Sequence, residues 1–407
     1  MNRWLFYWRK LTRQLWVRAT AYALLGVGAA LIAAWGAPFV PDEMAERLGN
    51  ESVEEILTIL ASSLLAVATF SVGAMVTAYT SVSGSATPRV AALVTSDDRT
   101  QKALSTFVGA FLYAIVSVTA INAQYYGEGG RAILFLVSLG VVGLVAFRLL
   151  AWINTLAQLA RVGHMIERVE TEARRALCQR AAKPFMGGAE GRLETGFDLP
   201  APATGYVQNV DPDRLQSLAS EADCRVEILA MPGTLVRRGE PLARLNLDRL
   251  DDKACHDWQL AFAVGESRSF DQDPRYGLIV LGEIAARALS PGVNDPGTAV
   301  QVIAAGFRLL DEWERARAEP DPVTCDRLLA SPLNPGDLLE DVMGTSARYG
   351  SSDLAVSLRL RKILASLAAE PGPFREPARA LARDQLERIH NGPATKSDRS
   401  RVEAITV

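Results

Sequence analysis

The stretch that decides the fold is Ile56–Pro88, ILTILASSLLAVATFSVGAMVTAYTSVSGSATP, in which no charged side chain falls between Glu55 and Arg89. A membrane-spanning helix needs about 20 apolar residues, and this run exceeds that. As one helix it would be about 50 Å long at 1.5 Å per residue, so it is predicted to cross a bilayer and protrude into the cytosol before Pro88 stops it. Ser62, Ala66, Thr69, Gly73, Thr77, Thr80 and Gly84 follow one another at steps of three or four, which makes a helical ridge of small and hydroxyl-bearing residues. Such a ridge lets backbones approach and hydroxyls bond across helices, so it is expected to turn toward protein or water and away from acyl chains. Two uses stay open: a packing seam, which is the commoner, or the wall of an uncharged pore.

Working outward, residues 1–18 interleave Arg3, Arg9, Lys10, Arg13 and Arg18 with Trp4, Phe6, Tyr7, Trp8 and Trp16. That pattern suits an interfacial segment ahead of a first span. Further spans are predicted at 19–40, 104–126 and 132–153, giving a four-helix transmembrane domain over 19–155. The loop after the first span sets one Arg against six carboxylates, whereas basic residues gather at the N-terminus, after the second span and after the fourth. By the positive-inside rule both termini are cytoplasmic. The spans hold almost no ionisable residues; Arg148 sits near a cytoplasmic end, where it can snorkel. A proton-driven carrier, which usually needs a carboxylate or histidine inside the membrane, is therefore disfavoured.

Residues 156–196 read as a stalk helix and linker. Leu159, Val162, Ile166, Val169, Ala173 and Ala176 alternate steps of three and four, the pattern of a stalk or self-associating helix. Residues 197–247 are a small β-rich module, and MPGTLVRRGEPLARL resembles the turns and strands of lipoyl- and biotinyl-type barrels. The lysine such domains carry at a hairpin apex is replaced by Arg237-Arg238, so no swinging arm is expected. Residues 248–390 form a cytoplasmic helical domain, with helices predicted near 274–289, 296–317, 337–349, 351–369 and 374–390, and 391–407 read as a flexible tail. The fold class is thus an α-helical membrane protein with a cytoplasmic α+β region.

Two Asp-Pro steps, Asp273-Pro274 and Asp295-Pro296, each place an N-cap carboxylate before a proline at the first helical position. Around them Glu266, Arg268, Asp271, Asp273, Arg275, Asn294 and Asp295 would converge if the two helices pack as a hairpin. The cluster would suit a hard cation or an anion at the helix starts; the commoner outcome is a satisfied ion-pair and capping network. The four cysteines (Cys178, Cys224, Cys255, Cys325) lack a CxxC pair and read as free thiols, and three histidines are too scattered for a metal cage. There is no nucleophile elbow, HExxH, phosphate loop or dinucleotide fingerprint. The expectation is no enzyme, no cofactor, no metal and no nucleic-acid partner.

FSVGAMVTAYTSVSGSATPRV, FVGAFLYAIVSV, GESRSFDQDPRYGL and ALSPGVNDPGTA together resemble a bacterial family of predicted membrane proteins known only as a domain of unknown function. The resemblance covers nearly the whole chain and implies an N-terminal membrane part, a cytoplasmic α+β part and a bacterial inner-membrane location, without a catalytic residue to carry over. The leading expectation is a homo-oligomeric, channel-like or transport protein with a cytoplasmic gating domain, its partners being the lipid bilayer, further copies of itself and an ion or small ligand. The alternative is a membrane-anchored scaffold or sensor that binds a ligand or partner through its cytoplasmic domain, and a membrane-anchored enzyme is the least favoured reading.

Overall fold

The computed structural model describes residues 15–36, 52–85, 87–95, 98–159 and 161–407. They divide into two compact units, one within residues 8–84 and 91–161 and the other comprising residues 85–90 and 162–407. The basic aromatic segment expected over 1–18 lies mostly outside the described residues.

The first unit is built from α1 (Leu15–Gly36), α2 (Ser52–Ser85), α4 (Asp98–Asn122) and α5 (Glu128–Leu159), and a short α3 (Pro88–Thr95) links α2 to α4. Among the described residues three stretches are long and apolar enough to cross a membrane: Val53–Ser81, Thr100–Asn122 and Glu128–Leu156. The first expected span, 19–40, shows only the shorter apolar helix Ala19–Ala33, and its last residues fall outside the described set. Helix α4 is the hub, with Leu104, Phe107, Ala110, Tyr113, Ala114 and Ser117 buried. Its contact with α1 is made at two glycines: a Cβ on Gly26 would lie 2.7 Å from the Gly109 carbonyl oxygen, and one on Gly109 2.8 Å from that of Tyr22. Tyr113 shares a 3.0 Å hydrogen bond with Ser138 of α5, and the Tyr126 hydroxyl donates to the Ala30 carbonyl at 2.8 Å. Small residues and buried hydroxyls thus hold these helices, as expected where apolar burial gives little preference between protein and lipid.

The ridge on α2 behaves otherwise. Val53, Leu57, Leu60, Leu64 and Ser71 are buried and share one face. At about 100° per residue, Ser62, Ala66, Thr69, Gly73, Thr77, Thr80 and Gly84 lie on the opposite face, and all are exposed in the single chain. The hydroxyls are satisfied by their own helix: Ser62 donates to Thr58 O at 3.0 Å, Thr69 to Leu65 O at 2.9 Å, Thr77 to Gly73 O at 3.0 Å and Thr80 to Thr77 O at 2.9 Å. The inward turn expected of this ridge is not made within one chain, because backbone bonding of this kind removes the need for an external partner.

The second unit begins with α6 (Val162–Ala182), the expected stalk. Its seam of Ile166, Val169, Ala173 and Ala176 is buried, but against α9 (Tyr276–Ala288) and α10 (Pro296–Ala318) of the same chain. A Cβ on Gly277 would sit 2.3 Å from that of Ala173, so the two helices meet where α9 has no side chain. Glu170, also buried, receives Arg174 at 3.0 Å and both Arg308 donors at 2.8 and 2.7 Å. The heptad-like pattern therefore marks an internal helix, and the self-associating stalk is corrected to a seam filled in cis.

The β-structure reaches well beyond 197–247. A mixed sheet runs in the order β1 (Ala189–Glu190), β8 (Leu328–Ala330), β4 (Val226–Ile228), β6 (Pro241–Leu245), β2 (Phe197–Pro200), with β8 parallel to both its neighbours. A second sheet orders β5 (Leu235–Val236), β3 (Gly205–Val210), β7 (Phe262–Gly265). Strands from 189–190, 262–265 and 328–330 complete these sheets, so the segment 197–247 is not a self-contained lipoyl-like barrel. Its two remaining helices, α7 (Pro212–Glu221) and α8 (Asp252–Gln259), are each N-capped by an aspartate, Asp211 and Asp251. The C-terminal helices are α11 (Pro335–Leu339), a π turn at Glu340–Gly344, α12 (Thr345–Tyr349), α13 (Leu354–Ala369), α14 (Arg375–Asn391) and α15 (Lys396–Glu403). The tail expected to be flexible is docked: Val402 is buried and Arg361 donates to the Ile405 carbonyl at 3.0 Å.

Candidate functional site

Asp273 is the centre of the polar cluster. It is 2% exposed. It receives Arg268 in a bidentate pair at 2.7 and 3.0 Å, and the backbone amides of Arg275 and Tyr276 at 3.1 and 3.2 Å. The carboxylate thus closes the turn leading into α9 and neutralises a guanidinium at the same time. The helix itself begins at Tyr276 with Arg275 as its N-cap and no side-chain cap bond, so the expected Asp273 cap with Pro274 at the first helical position is corrected to a turn one step earlier. Gly233, in the Met231-Pro232-Gly233 turn before β5, has φ of +95°, and a Cβ there would fall 2.4 Å from a carboxylate oxygen of Asp273. Only glycine meets both demands.

Arg275 turns the other way, pairing with Asp341 at 2.6 and 3.0 Å and with Asp337 at 2.5 Å. Asp337 and Asp341 are four residues apart on α11 and the π turn, so they present to the same side. Burial pushes the Asp341 carboxyl above its ordinary value, against the pull of Arg275. Asp271 is engaged by Ser269 at 2.8 Å and by Arg175 at 3.5 Å. Gln272 clips β3 with its side-chain amide, accepting from Val210 N at 2.7 Å and donating to Val210 O at 3.0 Å.

The other expected members lie elsewhere. Asn294 and Asp295 follow the far end of α9, a helix of 13 residues and so roughly 20 Å long. There Asp295 caps α10, accepting from Thr298 N at 3.1 Å and its hydroxyl at 2.6 Å, bonds that hold its pKa below the ordinary value. Asn294 adopts φ of +47°, as Asn tolerates in a tight turn. Glu266 is exposed on the strand side. The expected convergence of Asp273 with Asp295 is therefore corrected: packing two helices antiparallel puts their starts at opposite ends. Among the described residues no group of His, Cys, Asp and Glu is arranged to hold a metal ion.

What the sequence did not single out is a cavity of about 400 Å³ beside this network. Its walls come from the Met231–Thr234 turn, the Arg268–Arg275 segment, the Pro332–Asp337 loop and Arg180 near the end of α6. Such a volume lies within the usual range for small-molecule pockets. Arg180 is 7% exposed. One terminal nitrogen donates to the Ser331 carbonyl at 3.0 Å, while Nε and the other terminal nitrogen, both buried, have no partner among the described residues. Burial lowers its pKa to about 10, so it stays charged at neutral pH. A signal for it was present in the sequence. Val169, Ala173, Ala176 and Arg180 continue one phase at steps of four, three and four, so Arg180 occupies a seam position where an apolar residue would be expected.

A family model described as "Predicted membrane protein (DUF2254)" matches residues 12–366. The chain is also 31% identical over 185 residues to "Uncharacterized protein Rv1290c" of Mycobacterium tuberculosis and to "Uncharacterized protein Mb1321c" of Mycobacterium bovis. Those matches take in 42% of this chain and 34% of either relative, so the chain spans about a third of the length of the curated relatives it matches. No solved structure matches.

Proposed function

The chain belongs to the DUF2254 family of predicted membrane proteins, and from that premise we propose that it is a multi-pass membrane sensor whose soluble unit binds a small ligand. In this reading four helices cross the bacterial inner membrane, both termini are cytoplasmic, and the role is binding without catalysis and without nucleic acid. The single observation that carries it is the cavity of about 400 Å³ where strand turns and helix starts meet. One of its walls is α6, which begins three residues after the last apolar helix reaches Leu159. A ligand that shifts α6 acts on a segment covalently continuous with a span, so occupancy has a direct route toward the membrane.

The test is a metabolite screen on the full chain in lipid nanodiscs, read by thermal unfolding and hydrogen exchange. A ligand that raises the unfolding temperature and protects the 231–234, 268–275 and 332–337 segments supports the reading. Ligands that protect only other regions, or none that protect any, refute it.

The exposed ridge favours a second reading, a homo-oligomeric channel-like protein in which Ser62, Thr69, Gly73, Thr77, Thr80 and Gly84 meet other copies or line a narrow path. Thr69→Cys and Thr77→Cys would then cross-link between subunits, and liposomes carrying the protein would pass ions. Absence of both signals from folded protein leaves the ridge facing lipid, with its hydroxyls bonded to their own backbone.

A further inference from the structure

The three arginines around the cavity are not equivalent. Arg268 is matched by Asp273, and Arg275 by Asp341 and Asp337. Arg180 has no carboxylate partner among the described residues, only the Ser331 carbonyl, and two of its three nitrogens are buried and unbonded. Arginine presents its donors as a planar fork that matches the spacing of two oxygens on a carboxylate or phosphate. A buried ion without a partner is costly, and protein interiors retain one where something completes it. The remaining lining supplies neutral groups suited to orienting such a molecule, among them Thr234, Gln272 and Asn334. Asp337 shares the rim but is already engaged with Arg275 and half exposed.

We propose that this cavity is a binding site for a soluble, metabolite-sized oxyanion, whose carboxylate or phosphate group pairs with Arg180. The proposal deepens the sensor reading and rests on it for the ligand's role, but the charge of the ligand is a separate claim. It separates Arg180, a ligand-binding group, from Arg268 and Arg275, which build the wall.

The experiment titrates inorganic phosphate, pyrophosphate and citrate against the full chain in phosphatidylcholine nanodiscs at matched ionic strength, reading unfolding temperature and exchange in 231–234 and 332–337. At least one anion is expected to raise the unfolding temperature. Arg180→Met should weaken that anion by about tenfold or more, the loss expected for hydrogen bonds to a charged group. Without ligand this variant should unfold no earlier than the parent, because an apolar residue replaces an uncompensated buried charge. Thr234→Trp, on the exposed lip, provides a second variant that obstructs the cavity and leaves Arg180 in place; it should also abolish the stabilisation. No stabilisation by any of the three overturns the proposal, as does equal stabilisation of parent and Arg180→Met. A large fall in the unfolding temperature of ligand-free Arg180→Met assigns this side chain a structural task and counts against it too. Stabilisation that appears only when phosphatidylglycerol is added to the nanodisc, and with no soluble anion, replaces the soluble ligand by a lipid headgroup and overturns it. If an uncharged metabolite protects the cavity equally in parent and Arg180→Met, the anion claim fails while the sensor reading stands.

Discussion

Removing the carboxylate of Asp273 is the sharpest perturbation of the second unit. The side chain is 2% exposed and does two jobs, pairing with Arg268 and accepting two amides at the start of α9. In Asp273→Ala the guanidinium keeps its burial but loses its counter-charge, and breaking one partner of a buried pair costs about 3–5 kcal/mol. Loss of the acceptor for the two amides adds about 1 kcal/mol. For a unit of this size each kcal/mol moves the unfolding temperature by about 2–4 °C, so a fall of roughly 8–24 °C is expected. The assay is thermal unfolding of the full chain in nanodiscs, with exchange mass spectrometry to locate the loss in 262–290. Asp273→Asn keeps an acceptor for the amides without the charge and should fall between parent and alanine variant. Arg268→Met combined with Asp273→Ala should recover much of the loss, since no uncompensated charge is left. A fall of under about 3 °C for Asp273→Ala, or additive effects of the two substitutions, would refute the account of Asp273 as a buried, paired acceptor.

Four further outcomes follow from other contacts. Gly233→Ala brings a Cβ against Asp273 at a φ of +95° and should cost about 1–3 kcal/mol, measured as a lower unfolding temperature. Glu170→Ala strips the buried acceptor shared by Arg174 and Arg308 and should cost about 3 kcal/mol, with faster exchange where α6 meets α10. Truncation after Ala394 removes the burial of Val402 and the acceptor that Ile405 offers Arg361, so α13 and α14 should exchange faster. The hydroxyl and amide of Thr298 hold the Asp295 pKa below its ordinary value; its contribution is present in full above the ordinary aspartate pKa of about 3.9 and is lost as pH falls through the folded pKa. The stability of Asp295→Asn should therefore change less than that of the parent across that acid limb.

The membrane part was legible because it depends on local quantities. Uncharged length and the small-residue ridge can be read from consecutive residues, and α2 spans Ser52–Ser85 much as the stretch 56–88 required. Which way the ridge faces is a matter of packing. Leu57, Leu60 and Leu64 share the buried face, and branched apolar residues are present on every side of such a helix, so periodicity gives no preference. The helices after 273 were readable from caps and prolines: the α10 start at Pro296 with Asp295 as its cap follows from local chemistry. Asp273-Pro274 has the same local chemistry and a different fate: its carboxylate is also taken by Arg268 and abutted by Gly233, and the helix starts only at Tyr276. The mixed sheet was the least legible element. Strand β8 is three residues, Leu328–Ala330, lying parallel between β1 and β4 and far from both in sequence, and parallel pairing leaves no hairpin turn to announce it.

Arg180 shows how a position can be legible and still be misjudged. Counted by charge, it belongs with Arg161, Arg168, Arg174, Arg175 and Lys183 in the basic run that follows the last apolar helix. Taken by helical phase, it parts from them, because it follows Val169, Ala173 and Ala176 along the buried seam of α6. The same helix pairs Arg174 with Glu170 and Glu312, and Arg175 with Glu172 and Asp271. Those neighbours sit within reach of carboxylates and belong to a closed network, whereas Arg180 reaches only a carbonyl. An arginine in seam phase without a nearby carboxylate is the combination to look for in a chain of this kind. It predicts that placing a carboxylate beside it, as in Leu333→Glu on the cavity wall, will occupy the guanidinium from within the chain. That variant should unfold at a higher temperature than the parent without ligand and gain no further stability from phosphate, pyrophosphate or citrate. An unchanged response of Leu333→Glu to these anions would place their contact somewhere other than Arg180.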